Sequence, residues 1–315
     1  MDEKDFLAER FEEHRAHLRA VAYRMLGSLS EADDAVQEAW LRLSRSDVSD
    51  VANLGGWLTT VVGRVCLDLL RTRTARGEEP FDVRVPDPVI SRATGGGRDG
   101  SGTDGTDPEQ QALLADAVGL ALLLVLQTLA PAERLAFVLH DMFGVPFDEI
   151  GPVVGRTPAA ARQLASRARR RVRNAAAVPD TGLVRQREVV DAFLAAARDG
   201  DFEGLLGVLD PDVVLRADTG AGFPGLTRTV RGAHEVAGRA LAFRRSAHGA
   251  RYALVNGAAG VVTVVDGAPV SVMGLTVVGG KIAAIDILAD PERLRGLDLT
   301  VLGADADARR LTADG

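Results

Sequence analysis

Residues 147–173 read FDEIGPVVGRTPAAARQLASRARRRVR and predict two helices joined by a tight turn. Gly155 and Arg156 interrupt the helical pattern, and Thr157 is a suitable N-cap for the second helix. Pro158 then stands at the first helical position, where the N–H that proline lacks would have no helical partner in any case. The pattern therefore predicts a helix-turn-helix unit.

The second of these helices has two faces of opposite character. Apolar side chains recur at helical spacing on one face, at Ala161, Leu164, Ala165, Ala168 and Val172. Polar and basic side chains follow the same spacing on the other face, at Arg162, Ser166, Arg169, Arg170 and Arg173. Residues 156–174 contain seven arginines and no acidic residue. A packed face opposite guanidinium groups is the geometry of a recognition helix in the DNA major groove, and a solvated arginine-rich face is the less favoured alternative.

The composition places this helix in an ordinary, slightly acidic globular chain. Its 315 residues predict about two domains. Hydrophobic residues make up 46% and charged residues 26%, a balance that excludes a fibrous or wholly disordered chain. A net charge of −7 argues against a general coat for nucleic acid, so the basic helix indicates one directed contact with a polyanion.

No metal, cofactor, disulfide or membrane anchor is expected. Cys66 is the only cysteine, and the five histidines lack the spacing of metal ligands. The acidic start is unlike a signal peptide, and the longest apolar run, residues 117–126, is about half the length that a bilayer requires. We therefore expect a cytoplasmic protein that has no membrane partner.

The chain divides into modules by composition and periodicity. Residues 1–76 read as a helical domain, residues 77–108 as a flexible acidic linker, and residues 109–178 as a second helical domain that contains the helix-turn-helix. Residues 182–300 begin with two helices and continue with β-rich runs separated by hairpin signals, and residues 301–315 form a tail. We expect a multidomain chain in which two all-α domains precede an α+β domain.

The first helical domain offers two candidate surfaces. Residues 27–43 read GSLSEADDAVQEAWLRL and bring Asp34, Gln37, Glu38 and Leu41 to adjoining helical positions, although a solvated acidic face fits the composition equally well. Residues 55–73 read GGWLTTVVGRVCLDLLRTR and set Trp57 ahead of several arginines. An aromatic ring beside cations can stack an unpaired base while the cations hold phosphates. A tryptophan at a helix start is, however, more often part of the core.

Both segments resemble region 2 of the extracytoplasmic-function sigma factors, which form group IV of the sigma-70 family. Residues 129–172, LAPAERLAFVLHDMFGVPFDEIGPVVGRTPAAARQLASRARRRV, resemble region 4 of the same family. The order of the two regions and the variable linker between them also match. The resemblance implies an initiation subunit, not an enzyme, that binds the clamp and flap of core RNA polymerase and directs it to promoter DNA.

The resemblance also implies roles for individual residues. The residues that it assigns to the core-polymerase contact are Asp34, Gln37, Glu38 and Leu41. Those that it assigns to the minus-10 element, where one base is flipped out and the opened strand is followed, are Asn53, Trp57, Arg64, Arg71 and Arg73. Those that it assigns to the minus-35 element are Arg162, Gln163, Ser166, Arg169 and Arg170.

Residues 185–218 and the β-rich runs that follow resemble a SnoaL-like domain of the NTF2-like fold, a curved sheet wrapped by helices around a cone-shaped cavity. One subgroup of sigma factors carries this domain at the C-terminus, which implies regulation in cis. The subgroup's Pro-Trp-Leu-Pro-Glu-Pro-like linker signature is replaced here by residues 84–88. Its Asp-Gly-Gly-Gly motif, which a basic residue follows, is replaced by Asp218-Thr219-Gly220-Ala221-Gly222. Asp218, His234 and Asp286 are the candidates for the cavity, where an unidentified small ligand would bind.

Two other functions stay open on the sequence. A helix-turn-helix repressor with a ligand domain would bind an operator without polymerase, but it leaves residues 5–76 unexplained. A SnoaL-like enzyme with a DNA-binding appendage would use a cavity carboxylate as a base. Each of the three cavity candidates also has a plain structural explanation: Asp218 as a turn cap, His234 as a surface residue and Asp286 as a hydrogen-bonded sheet residue.

Overall fold

The computed structural model describes residues 3–45, 53–76, 84–91, 119–175, 179–180, 182–220, 228–244 and 246–299. The chain forms two compact units. Residues 1–79 and 122–176 make up the first, and residues 80–121 and 177–315 the second. The predicted tail, 301–315, and most of the predicted linker lie outside the described residues.

Three helices open the first unit: α1 (Glu3–Leu26), α2 (Leu29–Leu43) and α3 (Leu54–Ala75). They pack around fully buried side chains such as Leu18, Tyr23 and Leu67. Asn53 caps α3, because its Oδ1 accepts a hydrogen bond from the Gly56 N–H at 3.0 Å. The helical first domain predicted from the sequence is therefore present.

A second group of helices completes this unit. It consists of α4 (Leu120–Gln127), which leads into the unit, α5 (Pro131–Phe137), a π-helical turn (Val138–Met142), α6 (Phe147–Val154) and α7 (Pro158–Ala175). Gly155 ends α6 at a φ of 69°, and Thr157 Oγ1 accepts from the Ala160 N–H at 3.2 Å. The predicted helix-turn-helix is confirmed, with Ala161, Ala165 and Ala168 on its buried stripe.

The second unit is an α+β domain, as predicted. It contains α8 (Leu183–Asp199), α9 (Phe202–Val208), β2 (Leu209–Asp218), β3 (Arg228–Arg231), α10 (Ala233–Ala242), a 3₁₀ turn (Ser246–Gly249), β4 (Ala250–Val255), β5 (Ala258–Val265), β6 (Ala268–Val278), β7 (Lys281–Leu288) and α11 (Pro291–Arg295). With β1 (Ile90–Ser91), these strands form one sheet in the order β1-β4-β5-β6-β7-β2-β3. All neighbouring pairs are antiparallel except β2 and β7.

The hairpins of this sheet turn where the sequence predicted. Asn256 and Gly257 have φ angles of 50° and 75°, and Asp266 and Gly267 have φ angles of 50° and 81°. Positive φ at both central residues is the requirement of the tight hairpin turn that asparagine, aspartate and glycine favour. The core lies between the sheet and α8, α9 and α10, where Phe193 and Val236 pack against Leu215 and Ile285.

The strand β1 corrects the predicted linker. We expected residues 77–108 to be unable to order themselves, yet Ile90 pairs with Val255 at the edge of the sheet. Next to this pair, the Val89 N–H donates to Asn256 Oδ1 at 3.1 Å, and the Asn256 N–H donates to the Val89 carbonyl at 2.8 Å. The prediction is wrong for residues 84–91, because a sheet edge supplies the hydrogen bonds that the segment cannot form within itself.

Candidate nucleic-acid and partner interfaces

The outer face of α7 carries the predicted minus-35 residues. Arg162, Gln163, Ser166 and Arg170 are exposed. The guanidinium of Arg162 lies 5.2 Å from the centre of the Phe147 ring, a cation–π contact that orients it. Arg169 differs from the others, because it is only half-exposed and forms an ion pair with Asp141. The outer face can therefore present guanidinium and amide groups to a nucleic acid.

Two further arginines of α7 are committed to the protein itself. Arg167 and Arg171 lie 3.3 Å and 3.1 Å from the carboxylate of Glu133, whose side chain is 9% exposed. Two cations around one buried carboxylate compensate its desolvation and fix α7 on α5. The sequence analysis missed Glu133, because a single acid at a helix start reads as an ordinary first-turn residue.

The predicted polymerase-contact residues share one face of α2. Asp34, Gln37 and Leu41 are exposed, and Glu38 is half-exposed with its carboxylate 3.0 Å from Arg42 Nε. The opposite face is buried, as the helical spacing requires. The side chain of Leu41 is 39% exposed, which leaves an apolar group among acids in a position to meet a partner.

The predicted minus-10 residues surround a cleft beside the start of α3. Asn53, Trp57 and Arg64 line it, together with Thr60 and Val61 of the same helix, and its volume is about 420 Å³. Other cleft-lining residues come from α6, and they are Glu149, Pro152 and Val153. A half-buried indole beside an exposed guanidinium can hold a base and a phosphate together.

The other two predicted minus-10 arginines lie farther along α3. Arg71 is exposed and lies 3.9 Å from Asp68, on the side of α3 that carries Arg64. Arg73 instead forms an ion pair with Glu31 of α2, and both side chains are less than one third exposed. The structure therefore groups Arg64 and Arg71 at the surface and assigns Arg73 a contact within the unit.

A histidine is held neutral in a neighbouring cleft, which is lined by His14, His17 and Phe143 among others. The Thr59 hydroxyl donates to the Gly55 carbonyl at 2.7 Å. His17 Nε2 lies 3.2 Å from Thr59 Oγ1 and is therefore the donor in the contact between His17 and Thr59. The His17 ring also meets the Phe143 ring edge-on, with centres 5.2 Å apart. Burial lowers the pKa of His17, and the nearby charges of His14 and Arg24 lower it further.

This shift predicts an acid-sensitive first unit. The pKa of His17 is lower in the folded chain than in the unfolded chain, where it is near 6.5, so stability is full above that pH and falls below it. We expect His17→Gln to lose less stability than the wild type between pH 7 and pH 5, measured as the change in Tm of the full chain. Other charged groups near the site, His14, Arg24 and Glu149, are retained in this variant. His234→Gln, at an exposed position, is the control, and equal pH dependence of all three proteins would refute the assignment.

The cavity candidates of the second unit do not face its core. Leu215 and Ile285 pair with each other and point toward the helices. Their neighbours Arg216 and Asp286 also pair, so these side chains project from the opposite face of the sheet, as does Asp218. His234 is exposed on α10, and its ring meets the Phe202 ring edge-on, with centres 5.8 Å apart. The expectation that these three residues line one cavity inside the cone is therefore wrong. The alternation of side chains along β2 could have shown from the sequence that Asp218 and Leu215 lie on opposite faces of the sheet.

Asp286 is nevertheless an unusual carboxylate. It is 1% exposed, and its Oδ1 accepts a hydrogen bond from Arg216 Nη1 at 2.8 Å. Burial raises the pKa of Asp286, and the Arg216 charge partly reverses that shift. Its second oxygen, Oδ2, has no hydrogen-bond partner among the residues that the structure describes.

Asp218 belongs to a clamp on the captured linker segment. The clamp consists of Arg293 on α11 and two carboxylates, Asp87 and Asp218, each 6% exposed. Arg293 Nη1 donates to Asp218 Oδ2 at 2.7 Å, and the same guanidinium binds Asp87 and the Val85 carbonyl. The Val85 N–H donates to Asp218 Oδ2 at 3.1 Å. The sequence analysis named Asp218 but missed its partner, because nothing in the local pattern distinguishes Arg293 from a solvated helix residue.

Comparison with known proteins places these surfaces in a family context. The Sigma-70 region 2 family matches residues 10–76, and the Sigma-70 region 4 family matches residues 119–172. Within the described residues, no helix is both long enough and apolar enough to cross a bilayer.

Relatives match nearly the whole chain. The ECF RNA polymerase sigma factor SigJ of Mycobacterium tuberculosis H37Rv is 39% identical over 306 residues, which cover 92% of this chain and 93% of SigJ. A probable ECF sigma factor SigI of the same species is 35% identical and covers 93% of this chain and 97% of its own. The crystal structure of M. tuberculosis SigJ superposes with a TM-score of 0.73 at 36% identity, over 93% of this chain and 99% of that one. Since the similarity extends across both sigma regions and the C-terminal domain, the chain belongs to the extracytoplasmic-function RNA polymerase sigma factors.

Proposed function

We propose that this chain directs core RNA polymerase to promoters through three surfaces of its first unit. The exposed face of α2 binds the polymerase, the start of α3 captures an opened strand of the minus-10 element, and α7 reads the minus-35 element. The observation that carries this proposal is the outer face of α7: Arg162 and Arg170 are exposed and can reach DNA, while Arg167 and Arg171 are held by Glu133. A run-off transcription assay with core polymerase on a pool of random promoters tests it.

The minus-10 assignment rests on an energy comparison. Flipping a base out of a duplex costs a few kcal/mol, and stacking it on an aromatic ring returns about 1–3 kcal/mol. Trp57 can supply that stacking, and Arg64 in the same cleft can hold the backbone. The protein need only trap a strand that thermal opening and the polymerase make available. We therefore propose that it is not itself an enzyme and that it works in the cytoplasm, where the polymerase is.

The polymerase contact on α2 can be tested with two equally exposed leucines. Leu41 on α2 and Leu69 on α3 are each 39% exposed. We expect Leu41→Arg to weaken the affinity for core polymerase at least tenfold, because it puts a charge at the centre of the proposed contact. Leu69→Arg makes the same chemical change at the other helix and should bind as the wild type does. The measurement is the affinity of labelled full-length protein for core polymerase, and equal loss in both variants would contradict the assignment.

We also propose that the C-terminal domain regulates the sigma modules in cis by holding their linker. The clamp of Arg293, Asp87 and Asp218 and the pairing of β1 with β4 support this, because both fix residues 84–91, which connect the two helical domains. Capture shortens the free linker and so changes the distance over which the two domains can spread. Removal of residues 182–315 should change promoter output while core binding is kept. A chain that binds operator DNA without polymerase would instead be a repressor.

A further inference from the structure

The two sigma domains, predicted as separate modules, share one compact unit. α3 packs closely on α5 and the π-helical turn at position 63, where a Cβ would lie 3.1 Å from Cδ1 of both Leu135 and Leu139, which is tighter than an ordinary van der Waals contact. Gly63 is buried in the middle of α3, where glycine is otherwise unfavourable for a helix. We call the first unit in this arrangement the closed form.

A buried arginine holds the closed form together. Arg134 on α5 is 6% exposed. Its Nη1 donates to the Met25 carbonyl in the last turn of α1, and its Nη2 donates to the Gln127 carbonyl at the end of α4, both at 2.8 Å. Helix C-termini carry partial negative charge, so one cation joins the ends of two helices that belong to different sigma domains. Burial lowers the pKa of Arg134 to about 10, which leaves it charged at neutral pH.

An aromatic wedge adds to this contact. Phe143, which follows the π-helical turn, inserts its ring between His17 and Arg24 of α1. The Arg24 guanidinium lies 5.1 Å from the ring centre. The region 4 domain therefore contacts α1 in two ways: Arg134 binds a carbonyl at the end of α1, and the Phe143 ring packs between two α1 side chains.

In the closed form, α6 stands beside the minus-10 surface. Asn53, Trp57 and Arg64 share their cleft with Glu149, Pro152 and Val153 of α6. Glu149 is exposed and brings a negative charge to the space that a DNA phosphate would need near Arg64. A single strand that stacks on Trp57 would have to share the cleft with α6.

The closed form is incompatible with a fully bound promoter. Elements at minus 10 and minus 35 are about 25 base pairs apart, which is about 85 Å of B-form DNA. Two domains in side-chain contact cannot reach both elements, so the contacts of Gly63 and Arg134 must break first. On the basis of the proposed function, we propose that the closed form is autoinhibited, with α6 covering the minus-10 surface and Arg134 as its lock.

The test uses full-length chains with a wedge at the contact. Gly63→Gln places a long side chain against Leu135 and Leu139 but favours helix formation in α3 itself. Val153→Gln places a longer, uncharged side chain in the cleft from the α6 side, where Val153 and Arg64 are both lining residues, so it keeps the test decisive where the first variant fails to fold. Gly238→Gln in α10, where a Cβ would have nothing within 4 Å, is the matched control.

Two readouts are made on each protein. Fluorescence energy transfer between dyes on cysteines introduced at Glu13 and Asn174, both exposed, reports separation of the domains; the fully buried native Cys66 stays unlabelled. Binding of a fluorescent single-stranded DNA 12-mer of random sequence reports access to Trp57. We expect both wedge variants to show lower transfer and at least tenfold tighter binding than the wild type and Gly238→Gln. Unchanged transfer and unchanged DNA binding in the folded wedge variants would overturn the role of Arg134 as the lock. The affinity of the wild type for core polymerase is measured separately, and a wild type that does not bind core polymerase would overturn the proposed function.

Discussion

Replacing Arg162 and Arg170 together by alanine is expected to weaken promoter binding by the holoenzyme about 30-fold or more. An arginine that reads a base is worth about 1–3 kcal/mol, so two of them account for at least about 2 kcal/mol, and each tenfold step in affinity is 1.4 kcal/mol. Both side chains are exposed on the outer face of α7, so their loss should leave the fold intact. The measurement is the affinity of holoenzyme for a promoter duplex selected by run-off transcription.

Salt dependence separates base reading from simple charge attraction. Each phosphate contact contributes about 0.9 to the slope of log affinity against log salt concentration. A double variant that loses affinity on every sequence and flattens the slope by about two has lost phosphate contacts, whereas one that loses discrimination has lost base contacts. Replacement of Arg198 and Arg251, both exposed in the second unit, is the control of equal charge. An equal loss in that control would refute the role of α7.

Arg293→Met is expected to destabilise the second unit by about 3–5 kcal/mol and to release the linker segment. The substitution removes the Arg293 guanidinium from two buried carboxylates, Asp87 and Asp218, each 6% exposed, and removing one side of a buried ion pair has this cost. The amide of Val85, which donates to Asp218, and that of Val89, which donates to Asn256, should lose protection in hydrogen exchange. Denaturant unfolding of the full chain measures the free energy.

The neighbouring Arg295 is the matched control. It lies on the same short helix, is exposed, and donates through Nε only to the Pro291 carbonyl at 3.1 Å among its described contacts. Arg295→Met should therefore change stability by less than about 0.5 kcal/mol, as surface substitutions do. If both variants keep the Val85 and Val89 amides protected, the clamp does not hold the linker.

Local sequence patterns predicted the elements that are stabilised by residues close to one another in the sequence. The helical spacing around Ala161 and Ala165, the cap at Thr157 and the turn at Asn256 each depend on residues a few positions apart, and all were confirmed. The exposed arginines of α7 followed from the same spacing. The alternation of side chains along β2 also predicts that Asp218 lies on the sheet face away from the helices. The resemblance to a cavity-bearing fold led instead to the prediction that Asp218 lines a cavity.

Features that depend on distant partners could not be predicted in this way. Residues 84–91 are ordered only because a sheet edge far along the chain offers free hydrogen-bonding groups. Arg134 and Arg293 look like any other arginine in the sequence, and only the fold surrounds them with carbonyls or carboxylates. In the sequence, Gly63 only lowers the helix propensity of α3; the structure shows that Leu135 packs closely against this position.

The pairing of residues 84–91 with the last domain has a consequence for how each new molecule is made. Val89 and its partner Asn256 are 167 positions apart, so the ribosome must add all the residues between them before the edge strand finds its sheet. At about 5–20 residues per second, that takes about 10–30 s. During synthesis, every molecule therefore passes through an interval in which the first helices have been made but residues 84–91 cannot yet pair with the sheet. Those residues are fixed only once the C-terminal domain is complete.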